Sequence, residues 1–252
     1  MNNSPKRVKF HFFVKNPTVQ EQIVKLMPSW IEDNDNYDLV IVLGGDGTFL
    51  HAMKEYVNES VDLLFINTGH VGFLSNIKNV QDLTQLNEQE FTTFQYLQAT
   101  NVRNESTIAI NEFTITRLST SAHFSVAVDN QPFYSFFGSG LYVTTALGSS
   151  GLNRSFHGPL LFDDDSMCLF ELGPSLYPNF KSLMQPLVLN KNHQLTITTD
   201  RLTDTFLKSD GQLVPLTDST LTLQLQTSRA RIINPFLTKN RIGKIKLTLL
   251  GD

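Results

Sequence analysis

The chain has 252 residues, enough for one large domain or two smaller ones, each with its own core. Hydrophobic residues make up 40% and charged residues 17%, with 19 phenylalanines, which excludes a disordered chain and points to an aromatic-rich core. A net charge of −4 gives no general electrostatic basis for binding nucleic acid or an anionic membrane, and the single cysteine, Cys168, excludes an intramolecular disulfide and argues against a thiolate metal cluster.

The polar start Met1–Arg7 does not read as a signal peptide, and no apolar run approaches the ~18 residues of a membrane span. A soluble protein of the cytoplasm is expected. Val8–Val14 reads as a short strand, and Thr18 as the cap of a helix running to about Met27. Asp38–Leu43 is a dense β-branched run, as in a parallel strand buried on both faces. The turn Gly44-Gly45-Asp46-Gly47-Thr48 follows, then a helix over Thr48–Val57, a second buried strand over Val61–Asn67, a loop over 68–73 and a short capped helix over Asn79–Leu86. This alternation predicts an α/β domain with a parallel sheet over residues 1–100.

Beyond residue 100 helical periodicity disappears. Strands are predicted at Ser106–Ile110, Phe113–Leu118, Ala122–Val128, Phe133–Phe137, Leu141–Thr145, Met167–Leu172, Gln194–Thr199, Thr205–Lys208, Thr220–Gln226 and Arg229–Ile233, with turns at Asp129-Asn130 and Asp210-Gly211. Residues 101–234 therefore read as an all-β, antiparallel, sandwich-like domain. The segment 235–252 is expected as a C-terminal piece, with a strand at Lys244–Leu250, that can return to the first domain.

The chemistry concentrates in Gly44–Thr48. A buried strand runs into glycines and a helix starts beyond them, so backbone amides and the positive end of the helix dipole face one point, where an anion is favoured. A carboxylate there opposes a phosphate unless it serves the chemistry, either by accepting the proton of an attacking hydroxyl or by helping to hold a metal ion. The plain alternative is a tight turn in which Asp46 caps the helix. Two glycines, an acid, a third glycine and a hydroxyl residue form a narrower pattern than a lone GxG, and the functional reading is favoured. No Gly-Lys-Ser/Thr follows, so this is not a Walker A loop, and the spacing is not GxGxxG.

Gly44–Thr48 followed by a β-rich half resembles the superfamily of NAD kinases, diacylglycerol and sphingosine kinases and 6-phosphofructokinases. Asn67-Thr68-Gly69-His70-Val71-Gly72-Phe73-Leu74, Asn111-Glu112-Phe113, the glycine-rich stretch Gly138–Ser155 and Ser209-Asp210-Gly211-Gln212 narrow the resemblance to the NAD kinase family, small bacterial type, in that family's order. The resemblance implies an enzyme that moves the γ-phosphate of ATP, or of polyphosphate, to the 2′-hydroxyl of the adenosine ribose of NAD, making NADP. It implies Asp46 as general base and a substrate-binding set of Gly45, Asp46, Gly47, Thr48, Phe73, Asn111, Glu112, Ser139, Ser150, Gly151, Asn153, Ser155 and Asp210. Asn111 would recognise adenine, Glu112 would accept from ribose hydroxyls, and Mg2+ or another divalent metal would arrive with ATP. A homodimer or homotetramer, with sites completed across subunits, is implied as well. The chain departs from the family pattern at Ser139 for aspartate, Ala146 for proline, Gly151 for alanine and Leu152 for tyrosine, all in the region that holds NAD. The rival readings are a lipid kinase of the same superfamily and a nucleotide-binding sensor without turnover. Asp163–Asp165 reads as a solvated turn, Trp30 as packing, Phe133–Phe137 as core and edge, and Cys168 as inert.

Overall fold

A computed structural model describes residues 6–12, 15–69, 72–75, 77–86, 90–117, 119–177, 179, 181–233, 241–246 and 251. The chain forms two compact units, one of residues 1–94 with 228–252 and one of residues 95–227.

The first unit is an α/β layer. Its elements are β1 (Lys6–Phe12), α1 (Pro17–Leu26), β2 (Trp30–Glu32), β3 (Leu39–Gly44), α2 (Asp46–Tyr56), β4 (Asp62–Asn67), a 3₁₀ turn (Val80–Gln85) and β5 (Phe91–Thr92). The sheet order is β2-β1-β3-β4, then the strand Arg231–Ile233, then β5, and only β5 runs antiparallel to its neighbour. Arg231–Ile233, read from the sequence with the β-rich half, thus pairs in parallel with β4. Because side chains alternate along a strand, β3 and β4 split their apolar residues between two faces. Leu39, Ile41, Leu43, Leu64 and Ile66 pack with Ile23 of α1 and with Val80 and Leu83 of the 3₁₀ turn. Val40, Val42, Leu63 and Phe65 take the opposite face, where Phe65 stacks on Phe49 of α2 with centroids 4.8 Å apart.

Asn16, not Thr18, caps α1: its side chain accepts from Val19 N–H and Pro17 occupies the first turn. Proline suits that position, since its missing N–H would have no intrahelical partner. Of the strand read over Val8–Val14, residues 13 and 14 lie outside the described residues, as do His70, Val71 and Leu118. The strand expected at Lys244–Leu250 is corrected at its start. Lys244 and Ile245 belong to a short helix, Arg241–Ile245, and residues 247–250 lie outside the described set. A short apolar run carries both signals, and only its packing decides between them.

The second unit is antiparallel throughout. Its strands are β6 (Gln95–Asn101), β7 (Ser106–Ala109), β8 (Glu112–Arg117), β9 (Ala122–Val128), β10 (Gln131–Gly138), β11 (Gly140–Thr145), β12 (Ser166–Leu172), β13 (Leu187–Asn190), β14 (Gln194–Thr199), β15 (Thr205–Ser209), β16 (Gln212–Val214) and β17 (Thr220–Thr227), with a 3₁₀ turn (Gly148–Ser150) and a short helix, α3 (Leu152–Ser155), after β11. Two six-stranded sheets form, ordered β10-β9-β14-β17-β6-β7 and β13-β12-β11-β8-β15-β16. Their inner faces share one core, in which Leu97, Phe124, Ile197 and Leu223 of one sheet meet Phe113, Val143, Leu169 and Leu207 of the other. The sandwich-like reading holds. Both predicted turns are two-residue hairpin loops with positive φ at each position, Asp129 (52°) and Asn130 (63°), and Asp210 (49°) and Gly211 (78°), the type I′ geometry that matches strand twist. Strands β6, β13 and β16 were not legible in the sequence because Gln, Asn and Leu dilute their β-branched signal. No helix among the described residues is long and apolar enough to cross a membrane.

Candidate functional site

In the first unit, β3 ends at Gly44 and α2 starts at Asp46, with Gly45 extended between them (φ −99°, ψ −174°). No side chain caps this helix. Its first intrahelical bonds run from Thr48 N–H and Phe49 N–H to the Gly45 carbonyl, at 3.0 and 3.1 Å, so the amides of Asp46 and Gly47 precede the ladder. A Cβ at Gly45 or Gly47 would meet no atom within 4 Å, so the backbone here is open to an approaching ligand. The turn lies at the carboxyl end of a parallel strand, where open α/β sheets place their ligands.

Asp46 does not cap its own helix. Its Oδ2 accepts from Phe73 N–H at 3.0 Å and its Oδ1 from Leu74 N–H at 2.8 Å, across 27 and 28 residues. The carboxylate is therefore clamped by the loop after β4. An ionised carboxylate has about four acceptor positions, so each oxygen keeps a lone pair for a further proton donor. Asn67 shapes the loop. Its side chain accepts from Gly69 N–H at 3.0 Å and donates to the Gly69 carbonyl at 3.1 Å. Thr68 N–H reaches the Gly44 carbonyl at 2.9 Å. Gly72 has φ +61°, and a Cβ there would fall 2.2 Å from Asn67 Nδ2, so only glycine returns the chain to Phe73 and Leu74. Asp46, Gly45, Gly47, Thr48 and Phe73 thus form one group. Phe73 and Leu74 enter it through their backbones, and the sequence reading missed Leu74 because an amide leaves no residue-type signal.

In the second unit a second carboxylate organises a turn. Asp210, on the hairpin between β15 and β16, accepts from Ile110 N–H at 3.0 Å, Asn111 N–H at 2.7 Å and Glu112 N–H at 3.2 Å. The Asn111 carbonyl in turn accepts from Thr145 N–H at 2.8 Å and from Thr144 Oγ1 at 3.1 Å. Gly148 seals this contact: a Cβ there would lie 2.5 Å from the Asn111 carbonyl oxygen. The glycine-rich loop and the Asn-Glu turn are one packed object. Of the loop residues singled out from sequence, Ser150 is half-buried, and Gly151 and Ser155 are exposed beside it. The Asn153 side chain is fully buried and donates to the carbonyls of Ser149 (3.0 Å) and Pro159 (2.8 Å), which ties the loop to the chain beyond it. Ser139 stands apart. It precedes the first residue of β11, whereas Thr144 and Thr145 end that strand, roughly 16 Å away at ~3.3 Å per residue.

Glu112 is buried beside this turn, and desolvation, with the Asp210 charge adding to it, pushes its carboxyl up to about 7. The nearby Tyr142 hydroxyl favours the charged form and opposes part of that rise, although it has no hydrogen bond of good geometry. The folded protein therefore holds the Glu112 proton up to about pH 7, while the unfolded chain releases it near the ordinary value of 4.5. The unfolded state binds fewer protons across that window, so stability falls as pH rises from about 4.5 to 7, by on the order of 3 kcal/mol. Glu112→Gln is expected to flatten this slope and to be the more stable protein above pH 7. Denaturant midpoints measured from pH 4.5 to 8 check it, and an unchanged slope would refute the assignment.

Asp163 accepts from the Asp165 amide and the Ser166 hydroxyl, and Asp165 pairs with Lys191 at 2.7 Å, a solvated turn as read from sequence. Burial pushes the Cys168 thiol up to about 12, so it stays protonated and inert.

The sequence family described as ATP-NAD kinase N-terminal domain matches residues 14–92, the stretch that carries Asp46 and its loop clamp. The NAD kinase of Mycoplasma genitalium is 27% identical over 261 residues, covering 96% of this chain and 99% of that one. The NAD kinase of Christiangramia forsetii is 31% identical over 61% of this chain and 57% of its own. An NAD kinase from Archaeoglobus fulgidus, crystallised in complex with ATP, superimposes with a TM-score of 0.75 at 20% identity, covering 95% of this chain and 98% of that one. Yeast NADH kinase, complexed with NADH, gives a TM-score of 0.74 at 16% identity, over 99% and 88%. The two structures share the fold. One relative is matched almost end to end in both chains and the ATP-NAD kinase N-terminal domain lies over the Asp46 turn, so the chain is similar to NAD kinases along nearly its whole length.

Proposed function

We propose that the chain is an NAD kinase, transferring the γ-phosphoryl group of ATP to the 2′-hydroxyl of the adenosine ribose of NAD to yield NADP. The observation that carries the proposal is the clamped carboxylate of Asp46. It stands at a glycine turn whose amides suit phosphate, and each oxygen retains a lone pair for the ribose hydroxyl proton. Asp46 accepts that proton as the 2′-oxygen attacks, and the amides of Asp46 and Gly47, ahead of the helix ladder, offer backbone donors to the triphosphate. Asn111 presents its amide to adenine, and ionised Glu112 accepts from a ribose hydroxyl. As pH falls through about 7 Glu112 gains its proton and becomes a weaker, uncharged acceptor, so the KM for NAD is expected to rise.

The turn offers one carboxylate, already engaged by two amides, which does not amount to a protein cage for a cation. That donor set fits Mg2+ delivered on the triphosphate, where it would neutralise phosphate charge. A homodimer or homotetramer belongs to the proposal. Ser139, at the far end of β11 from the Asn111 turn, is then available to a neighbouring subunit's site. Light scattering should return a mass of two or four chains, and a monomer would remove this part. The cytoplasm is the compartment that suits such an enzyme.

The test is NADP formation by the purified protein with NAD or NADH as acceptor and ATP or polyphosphate as donor, run beside diacylglycerol. Activity on the lipid alone would favour a lipid kinase, and nucleotide binding without product would favour a sensor.

A further inference from the structure

On the α2 face of the first unit's sheet, three ligating side chains converge that the phosphoryl-transfer chemistry does not use. His11 leaves β1 on the side opposite Val8 and Phe10. His51 and Glu55 stand one turn apart on α2 and share a helix face. His11 Nε2 and His51 Nδ1 are 3.3 Å apart, and one ligating atom from each of the three residues lies within 4.8 Å of the other two. Glu55 Oε2 is 3.7 Å from His51 Nδ1 and 3.6 Å from His11 Nδ1. The imidazole rings stack with centroids 5.3 Å apart.

Two donors bound tetrahedrally to one ion at ~2.0–2.1 Å stand about 3.4 Å from each other. The His11–His51 spacing matches that figure, and it is long for a hydrogen bond between two rings. Two imidazoles and one carboxylate suit zinc better than magnesium or calcium, which prefer oxygen. Lys9, whose charge acts on His11, lies over the rings of Tyr37 and Tyr56, at 4.6 and 5.5 Å from their centroids.

We infer that His11, His51 and Glu55 form a site for a divalent transition-metal ion, with zinc the fitting metal and a coordination position left to water. The ion ties β1 to α2, the helix that opens with Asp46, five residues and roughly 7.5 Å of helix before His51. The site is a clamp on that helix and is separate from the Mg2+ carried by ATP. It does not depend on the kinase reading.

The test uses the untagged, metal-free full chain, titrated with zinc and, separately, with cobalt(II). The wild type should take up one zinc per chain, gain a visible tetrahedral cobalt band and show a zinc-dependent rise in Tm, since a ligand of the native state alone stabilises it. His51→Ala, on an exposed helix face where folding is undisturbed, should lose the band and the Tm rise, and Glu55→Gln should weaken both. A wild type that takes up no zinc, or a His51→Ala variant that responds as the wild type does, would overturn the assignment and leave the two rings as a hydrogen-bonded pair.

Discussion

Asp46→Asn should lower kcat for NADP formation by about 10²- to 10⁴-fold, the range for loss of a general base. The structure adds a cost that the turn sequence alone does not show. Both carboxylate oxygens accept backbone amides, from Phe73 and Leu74. Asparagine replaces one oxygen with an NH2 group, which then faces an N–H donor. The loop loses that anchor, at a cost of about 1–3 kcal/mol. Stability and turnover should therefore fall together, but for separable reasons. A loosened loop acts on binding, whereas a missing base acts on the chemical step. Steady-state kinetics distinguish the two: the KM for ATP should move by less than about tenfold while kcat collapses. Near-full activity in this variant would refute the role of Asp46.

The second large effect is expected at Asp210. Asp210→Ala strips one acceptor from three amides at once, those of Ile110, Asn111 and Glu112. Water can replace part of the loss at this half-buried position, so about 3 kcal/mol is expected. For a chain of this size that lowers Tm by about 6–12 °C. The KM for NAD should rise, because the turn that presents Asn111 and Glu112 loses its template. Asp210 is also the charged neighbour that helps to raise the Glu112 carboxyl, so its removal should move the pH midpoint of the NAD KM below 7. Asp210→Asn keeps an acceptor for some of the amides and should fall between wild type and Ala. Calorimetry and a pH series of KM check both parts, and a midpoint that stays at 7 would show that Asp210 does not act on Glu112.

Much of this was legible in the residues. The run Leu39-Val-Ile-Val-Leu43 read as a doubly buried parallel strand because both faces carry apolar side chains, and both prove covered. Asp129-Asn130 and Asp210-Gly211 read as turns because such residues tolerate positive φ. What stayed hidden depends on contacts that only the fold makes. Nothing near Asp46 says that its oxygens end on amides 27 and 28 residues later. Asn153 offered a polar side chain to a ligand on paper, and in the fold that side chain is fully buried on two carbonyls. His11 and His51 are 40 positions apart and meet only because β1 alternates and α2 lies across it. The strand expected at Lys244–Leu250 shows the same limit from the other side, since a short apolar run takes its form from what it packs against.

The central claim, that Asp46 directs phosphoryl transfer to the adenosine ribose of NAD, is tested most directly by following the phosphate itself. The protein is incubated with NAD and γ-labelled ATP, and the product is cleaved at its pyrophosphate bond. Label should be recovered as adenosine 2′,5′-bisphosphate with wild-type protein, and almost none with Asp46→Asn. Label on the nicotinamide half, or only as free inorganic phosphate, would contradict the claim.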